Sequence, residues 1–507
     1  MSPDPTAPTA DLGRLEADGR AWIADAPSLY LDGGWRAPRG TDALERRRPD
    51  TGDRLASVRF ASPADVDAAV AAAGAAFAPG SPWRTMSRRE RAGVLHRIGE
   101  VVRANAEELA AIIALENGKL YGEALDDDMP DTADVFDHYA GWTDKLTGES
   151  VPVEGDAVCY VQREPIGPCA LLVPWNFPLL LAAWKIAPAL AMGNTVVVKP
   201  SPFTPFSLLR FAQLVDDAGI LPPGVLNVVV GDREVGEALV AHPGTAKVSF
   251  TGSTAVGRAI LAGVAGSNLA PVTLELGGKS PNVVFADTTD LDACIDRSFT
   301  LMFAQKGEKC SEPTRFILER SIHDRFVDAL VERAEAVVCG GAFDPAATQG
   351  AQCTEAQLAR IVEHIGIAID EGAVLRCGGE RDTSGRNAEG SFVRPTIFTD
   401  VTPGMRLFRE EVFGPVLAVT AFDTEDEAVR LANATDYGLA AGVYTGDPSR
   451  ARRVAGALDS GQVFINRYGC YDFAAPFGGV KASGWGREMG RLSLDAYTRP
   501  KTVWWAD

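Results

Sequence analysis

The sequence predicts an α/β protein whose parallel sheets are covered by helices on both faces. Apolar residues at three- and four-residue spacing alternate with short β-rich runs through most of the chain, which is typical of βαβ units. The length of 507 residues indicates two or three domains, and 46% hydrophobic residues can fill large cores.

In the first half of the chain, apolar residues recur at helical spacing over residues 63–78 and 87–117, which predicts helices there. Helices and strands then alternate. Strands are predicted at 169–173, 195–199, 225–230 and 247–250, and helices at 178–192, 207–218, 234–241 and 254–263.

A second α/β unit begins near Gly277. Its helices are predicted at 291–304, 322–337 and 355–371, and its strands at 315–318, 416–421, 442–445 and 462–466. Residues 1–20 are rich in Pro, Ala and Asp and lack the basic start and apolar core of a signal peptide. We expect them to form a disordered tail.

Charge and hydropathy argue against nucleic-acid binding and against a membrane span. The net charge of −19, without a run of Lys and Arg, argues against nucleic-acid binding and favours a role in solubility. The most apolar stretch, residues 170–198, is interrupted by three prolines and by Lys185. We therefore expect buried strands and a core helix there, and no membrane span.

The eight cysteines do not form a metal-ligand pattern. They contain no CxxC pair, and the chain has only five histidines, so we expect no metal site. Scattered cysteines in a large chain are typical of buried thiols in a reducing compartment, here the cytoplasm.

Three segments carry residues suited to covalent chemistry on a carbonyl carbon. Cys310 lies on a polar, glycine-containing loop, and Glu275 precedes a Gly-Gly pair. Asn176 lies between Pro174 and Pro178, which restrict the backbone. A thiol, a carboxylate base and a rigid amide donor are what such chemistry requires.

These segments belong to a series of seven motifs through which the chain resembles the aldehyde dehydrogenase superfamily, from about residue 28 to the C-terminus. The motifs occupy residues 174–178, 199–201, 250–254, 274–279, 305–315, 410–415, and 476–479 with 483–488. One motif alone is weak evidence, but seven in the family's order are specific. The absence of GxGxxG agrees with the family's variant of the dinucleotide fold.

The resemblance implies oxidation of an aldehyde to a carboxylic acid through a thiohemiacetal and a thioester on Cys310. Glu275 is expected to activate water, and Asn176 to form the oxyanion hole with the backbone N–H of Cys310. Lys185 and Glu488 match positions proposed to relay protons, although a structural ion pair explains them equally well. The loop departs from the family pattern at Gln305, usually Asn, and at Glu308, usually Gln.

The resemblance also implies an NAD site. Its expected residues are Val173, Pro174, Trp175, Lys199, Ser201, Gly231, Gly252, Ser253, Val256, Leu276, Glu411 and Phe413. Lys199 would bind the adenosine ribose, Ser253 the pyrophosphate at a helix start, and Glu411 the nicotinamide ribose. Pro202 occupies the position of a glutamate that repels a 2′-phosphate in many NAD-preferring relatives, so we expect NADP to be accepted as well.

By family position, six residues should line the aldehyde tunnel: Phe177, Leu181, Trp184, Ser311, Tyr471 and Phe477. The acidic segment at residues 126–131 lies where relatives have the tunnel mouth. Carboxylates above aromatic faces favour a cationic tail, as in ω-aminoaldehydes or betaine aldehyde. The alternative is a neutral aromatic or medium-chain aldehyde.

The family also implies a division into domains. Residues 21–146 and 166–276 are expected to bind cofactor, residues 277–482 to form the catalytic domain, and residues 147–165 and 483–507 to form an oligomerisation element. A homodimer or homotetramer is implied. Two rival functions remain, a coenzyme A-acylating enzyme, against which Glu275 argues, and a non-catalytic relative, against which the retained Cys310 and Asn176 argue.

Overall fold

A computed structural model describes residues 11–506. It corrects the expected N-terminal tail, because Leu12–Ala24 form a helix whose start is capped by the side chain of Asp11. Leu12 and Leu15 pack against the largest core cluster. Burial of this apolar face explains why the segment is ordered despite its polar composition, while residues 1–10 of the predicted tail lie outside the described residues.

The first half of the chain forms an eight-stranded sheet, which confirms the predicted fold class. Its five central strands are parallel, and its outer strands are antiparallel. In sheet order the strands are Gly484–Trp485, Val272–Glu275, Lys247–Thr251, Pro168–Leu172, Thr195–Lys199, Leu226–Val229, Leu29–Leu31 and Gly34–Trp35. A two-stranded hairpin of Ala43–Arg47 and Arg54–Arg59 lies outside this sheet.

Helices cover this sheet. They are Pro63–Phe77, Pro82–Thr85, Arg88–Ala104, Ala106–Asn117, Tyr121–Glu123, Met129–Ala140, Leu180–Ala191, Phe206–Asp217, Arg233–Ala241 and Thr254–Ala265, with a π-helical turn at Ala124–Asp128. The helical pattern predicted over 87–117 is divided at Asn105, which ends one helix and begins the next.

The second half forms a seven-stranded sheet that is parallel except at one edge strand. In order, its strands are Val374–Cys377, Thr396–Thr399, Val416–Phe422, Arg315–Glu319, Pro281–Val284, Ala440–Tyr444 and Gln462–Ile465. Its helices are Leu291–Phe303, Arg320–Glu335, Glu355–Asp370, Arg406–Arg409, Glu425–Asn433 and Pro448–Ala457.

A third, antiparallel sheet joins distant parts of the chain. Thr498–Trp505 pairs with Val158–Pro165, which pairs with Glu149–Val151. The short helix Leu492–Ala496 precedes its last strand, whereas Gly484–Trp485 belongs to the first sheet. Between residues 11 and 506, no helix has both the length and the apolar character needed to cross a membrane.

The first sheet gathers polar side chains at one edge. Lys199, Thr251 and Glu275 are the last residues of three of its parallel strands. Thr251 is paired with Glu275 in the strand register. Because ligands of open α/β sheets bind at the carboxyl ends of the strands, this edge is where a site is expected.

Candidate active site

A cavity of about 340 Å³ brings together residues that are far apart in the sequence. Cys310, Glu275, Asn176 and Glu488 all line it. Lys185 does not line the cavity but forms an ion pair with Glu488. The five residues expected to take part in catalysis are therefore grouped at one place.

The loop before Cys310 has an unusual backbone. Gln305, Lys306 and Gly307 have φ values of 51°, 63° and 72°. A side chain at Gly307 would collide with the backbone of Gly414, so glycine is required there both by conformation and by space. This left-handed turn connects the helix Leu291–Phe303 to Cys310.

The two lysines beside Cys310 point in different directions. Lys306 is buried, and its ammonium donates to the carbonyl and Oδ1 of Asn117, both at 2.9 Å. Lys309 lines the cavity and lies 3.9 Å from a carboxylate oxygen of Glu312. Of these two lysines, Lys309 is the one whose charge lowers the pKa of the Cys310 thiol, and its contribution is smaller than that of burial.

The Cys310 thiol is held in its neutral form. Burial raises its pKa to about 12, and the charges of Glu411 and Glu275 act in the same direction. Lys309 and a backbone hydrogen bond oppose this increase only weakly. The thiol therefore needs a base to become a nucleophile.

Glu275 is a buried carboxylate in the lining of the same cavity. Its side chain is buried, and its Oε2 makes no hydrogen bond to the described residues. Burial, then the charge of Glu488, raises its pKa well above the ordinary value, while Lys185 and Arg487 oppose the increase. A raised pKa makes this carboxylate a stronger base than an exposed glutamate.

The Asn176 amide is fixed by one hydrogen bond. Its Nδ2 donates to the carbonyl of Glu308 at 2.8 Å, and the residue is 6% exposed. Since an amide nitrogen carries two hydrogens, a second donor remains for a group in the cavity. This geometry suits a rigid oxyanion donor.

Lys185 and Glu488 form a buried pair beside Glu275. The Lys185 ammonium also donates to Thr251 Oγ1 at 2.8 Å and to Ser249 Oγ at 3.3 Å. Glu488 Oε2 has no hydrogen-bond partner among residues 11–506. An ion pair is thus present, and one free carboxylate oxygen is left at the cavity.

The expected phosphate site lies at the start of the helix Thr254–Ala265. Ser253 caps this helix by accepting from the N–H of Val256 at 3.4 Å. Val256 is 46% exposed, and a side chain at Gly252 would collide with the Phe250 ring. The unpaired N–H groups of the first turn attract anions, and the exposed valine offers an apolar surface.

Lys199 presents an amine at the end of its strand. It is 9% exposed and makes no side-chain hydrogen bond within the described chain. Burial lowers its pKa to about 8, against the charge of Asp232. Ser201 Oγ accepts from the N–H of Phe203 at 3.2 Å, so both side chains retain donors for a ribose.

Glu411 offers the complementary acceptor. Its Oε1 accepts from the N–H of Gly278 at 2.9 Å, and burial raises its pKa to about 7. A side chain at Gly277 would collide with Oε2. Phe413, with φ of 60°, packs edge-on against Trp175 at 5.3 Å between ring centroids.

The other predicted cofactor residues lie along the same edge. Val173 donates its N–H to the Lys199 carbonyl at 3.0 Å, Pro174 follows it, and Leu276 packs under Gly257. Gly231 has no room for a side chain beside Val235. A helix N-terminus, an unpaired amine and an unpaired carboxylate oxygen together fit a dinucleotide.

All six residues predicted for the tunnel line the cavity, namely Phe177, Leu181, Trp184, Ser311, Tyr471 and Phe477. Phe477 lies 5.3 Å from Trp184 and 5.9 Å from Tyr471 between ring centroids. The Tyr471 hydroxyl is 2.8 Å from Ser311 Oγ. The lining also includes residues that the sequence did not single out: Leu180, Leu301, Ala304 and Gly469.

Four aspartates of the acidic segment line the cavity, but they are not equivalent. Asp128 is buried and pairs with Lys119 at 2.6 Å, so its charge is neutralised. Asp126, Asp127 and Asp131 are exposed and make no ion pair within residues 11–506. Lys309 is the single cationic residue that the described lining contains. The entrance therefore has a surplus of negative charge.

The Cys310 pKa makes a testable prediction for the free protein. The rate of its alkylation by iodoacetamide should rise about tenfold per pH unit between about pH 7 and pH 9, because the thiolate fraction is small throughout. Mass spectrometry of the peptide must report the site, since Cys470 is exposed and also free. A plateau near an ordinary thiol pKa of about 8.5 would contradict the effect of burial.

Comparison with known proteins agrees with this arrangement. The aldehyde dehydrogenase family model matches residues 35–503. Human retinal dehydrogenase 2 is 42% identical, over 99% of this chain and 96% of its own length.

Two solved structures are also similar. An NAD⁺ complex of aldehyde dehydrogenase from Bacillus cereus has a TM-score of 0.92 at 41% identity, covering 96% of this chain and 98% of its own. An NAD⁺ complex of betaine aldehyde dehydrogenase from Staphylococcus aureus has a TM-score of 0.93 at 34% identity, covering 97% of each chain. This chain belongs to the aldehyde dehydrogenase family.

Proposed function

We propose that the protein oxidises an aldehyde to a carboxylic acid with NAD, through a covalent intermediate on Cys310. The observation that carries this proposal is the meeting of Cys310, Glu275 and Asn176 in one cavity. The NAD⁺ complexes of the Bacillus and Staphylococcus enzymes support the choice of cofactor. Lys199 and Glu411 supply groups for the two riboses.

In the first step, the Cys310 sulfur attacks the aldehyde carbon as its proton passes to a base. The free N–H of Asn176 and the backbone N–H of Cys310 stabilise the oxyanion. NAD, when bound along the strand edge, supplies the acceptor for the hydride that leaves this carbon.

In the second step, Glu275 takes a proton from a water molecule that attacks the thioester. The acid is released and the Cys310 sulfur is regenerated. The Lys185–Glu488 pair lies next to Glu275, and the free Oε2 of Glu488 supports a role in passing the proton onward. A purely structural role for the pair is the alternative.

The rival functions lack such support. A coenzyme A-acylating enzyme has no need of a water-activating carboxylate, yet Glu275 lies in the cavity with a free oxygen. A non-catalytic relative has no need of Cys310 and Asn176 in one place.

We further propose that the substrate carries a positive charge. Asp126, Asp127 and Asp131 at the cavity entrance support this, since they lack cationic partners in the described chain. The aromatic wall behind them can bind a cation through its ring faces. The Staphylococcus betaine aldehyde dehydrogenase is a similar protein. A neutral aromatic or medium-chain aldehyde is the alternative, because the same wall could bind it.

A homo-oligomer is also proposed. The antiparallel sheet exposes Val158, Trp504 and Trp505, which are 56%, 62% and 67% exposed. Large apolar side chains on one sheet are typical of a protein interface.

The covalent mechanism predicts different behaviour for two variants. Cys310→Ala should lose dehydrogenation while keeping its fold and NAD binding. Glu275→Gln should release about one NADH per site in a rapid burst and then turn over at least about 100-fold more slowly than the parent, because the thioester is not hydrolysed. Cys470→Ala is the matched control for the thiol. Parent-like steady turnover of Glu275→Gln would contradict its role as base.

Cofactor selectivity gives a second prediction. The parent should discriminate against NADP by less than about a thousandfold, or about 4 kcal/mol, because Pro202 cannot repel a 2′-phosphate. Pro202→Glu should weaken use of NADP by at least about tenfold in kcat/KM through charge repulsion. Pro202→Gln, which has the same shape without the charge, is the control. Equal effects of the two variants would refute the electrostatic explanation.

The substrate charge is tested with two aldehydes of the same shape. Betaine aldehyde should be oxidised with a higher kcat/KM than 3,3-dimethylbutanal, its neutral carbon isostere, and the advantage should shrink as salt screens the entrance. The triple variant Asp126→Asn, Asp127→Asn, Asp131→Asn should lose the advantage. Asp324→Asn, at an exposed residue that does not line the cavity, should keep it. No preference for the cation, or one unaffected by salt, would favour a neutral substrate.

A further inference from the structure

We propose that Lys306, Glu308 and Asn117 are positioning residues that hold the Asn176 amide in place against the loop of Cys310. The inference rests on the proposed function, since it assigns these residues to the oxyanion donor of that reaction. None of the three lines the cavity, so they act through Asn176 and the loop backbone.

A buried ion pair is the centre of this arrangement. Lys306 Nζ lies 2.7 Å from Glu308 Oε2, and both side chains are 1% exposed. Glu308 Oε1 accepts from the backbone N–H of Cys353 at 3.0 Å. The pair spans Gly307, at the point where the chain turns toward Cys310.

Hydrogen bonds connect this pair to the oxyanion donor in a closed ring. Lys306 donates to Asn117, whose Nδ2 donates to the carbonyl of Trp175 at 3.0 Å. The next residue, Asn176, donates back to the carbonyl of Glu308 at 2.8 Å. A shift of the ion pair is therefore passed to Asn176 from both sides, through its backbone and through its side chain.

The conformation of the loop explains why such support is needed. Gln305 and Lys306 are non-glycine residues with left-handed φ values, a conformation that persists only when the surroundings hold it. The Gln305 N–H donates to Glu123 Oε1 at 2.9 Å, and Lys306 is held through its ammonium. Release of Lys306 removes one of these two restraints.

Stability alone does not account for the pair. A fully buried ion pair is often no more stabilising than apolar residues of the same volume, whereas loss of one partner leaves an uncompensated charge. Apolar side chains of the same volume could not reproduce the directional contacts of the Lys306–Glu308 pair. The pair therefore has the properties of a device that sets position.

The test compares Lys306→Gln, Glu308→Gln and the double variant in the full-length protein with NAD. Each single variant should slow the burst of NADH with an aldehyde by about tenfold or more, because small displacements of a catalytic donor are costly. The double variant, with two amides that can bond to each other, should recover to within about threefold of the parent. Alkylation of Cys310 by iodoacetamide, which needs no oxyanion donor, should be unchanged in all three.

Asn117→Ala gives an independent variant without a change of charge, and it should slow the burst in the same way. Asp50→Asn is the matched control, because it breaks another buried pair, with Arg48 at 2.9 Å, away from the cavity. It should lower the melting temperature and keep the burst rate.

Three results would overturn the inference: a parent-like burst in the single variants, a parallel loss of burst and alkylation, or a double variant as slow as the singles. Should a single variant fail to fold, Asn117→Ala and the double variant decide the question. Absence of any NADH formation by the parent protein with the aldehydes tested would instead reject the proposed function.

Discussion

Burial of charge is the constraint on which the site depends. Three ion pairs with almost no exposure surround the cavity: Lys185–Glu488, Lys306–Glu308 and Lys119–Asp128. An isolated charge at such positions would be far too costly, so each is paired. Within residues 11–506 no cation is bonded directly to Glu275, and burial together with the charge of Glu488 raises its pKa. The ion pairs hold the surrounding side chains in place, and the carboxylate of Glu275 remains able to accept a proton.

Much of the fold was predictable because its strands are short runs with uniform chemistry. Thr195–Lys199 contains three consecutive valines and is buried along its whole length, so its pattern is unambiguous. The helix Met129–Ala140 was missed because its start is acidic and contains Pro130, which helices accept only in the first turn. Leu12–Ala24 was missed because its order comes from packing against distant helices, which composition does not reveal.

The site was predictable only in part, and for a physical reason. The motifs of Asn176, Glu275 and Cys310 could be identified one at a time, but the topology of two sheets brings them into one cavity. The direction of Lys306 could not be predicted, because it depends on a left-handed backbone that lysine rarely adopts. The ion pair between Asp128 and Lys119 could not be predicted either, because the two residues are nine positions apart and an irregular π-helical turn lies between them.

Glu411 acts on the Cys310 thiol and also belongs to the proposed cofactor site. Its charge raises the pKa of Cys310, and its carboxylate is also the acceptor proposed for the nicotinamide ribose. A ligand that donates hydrogen bonds to this carboxylate weakens its effect on the thiol and so favours the thiolate. By linkage, ionisation of Cys310 must strengthen the binding of that ligand by the same factor. Cofactor binding and activation of the nucleophile are therefore expected to be coupled through this one side chain.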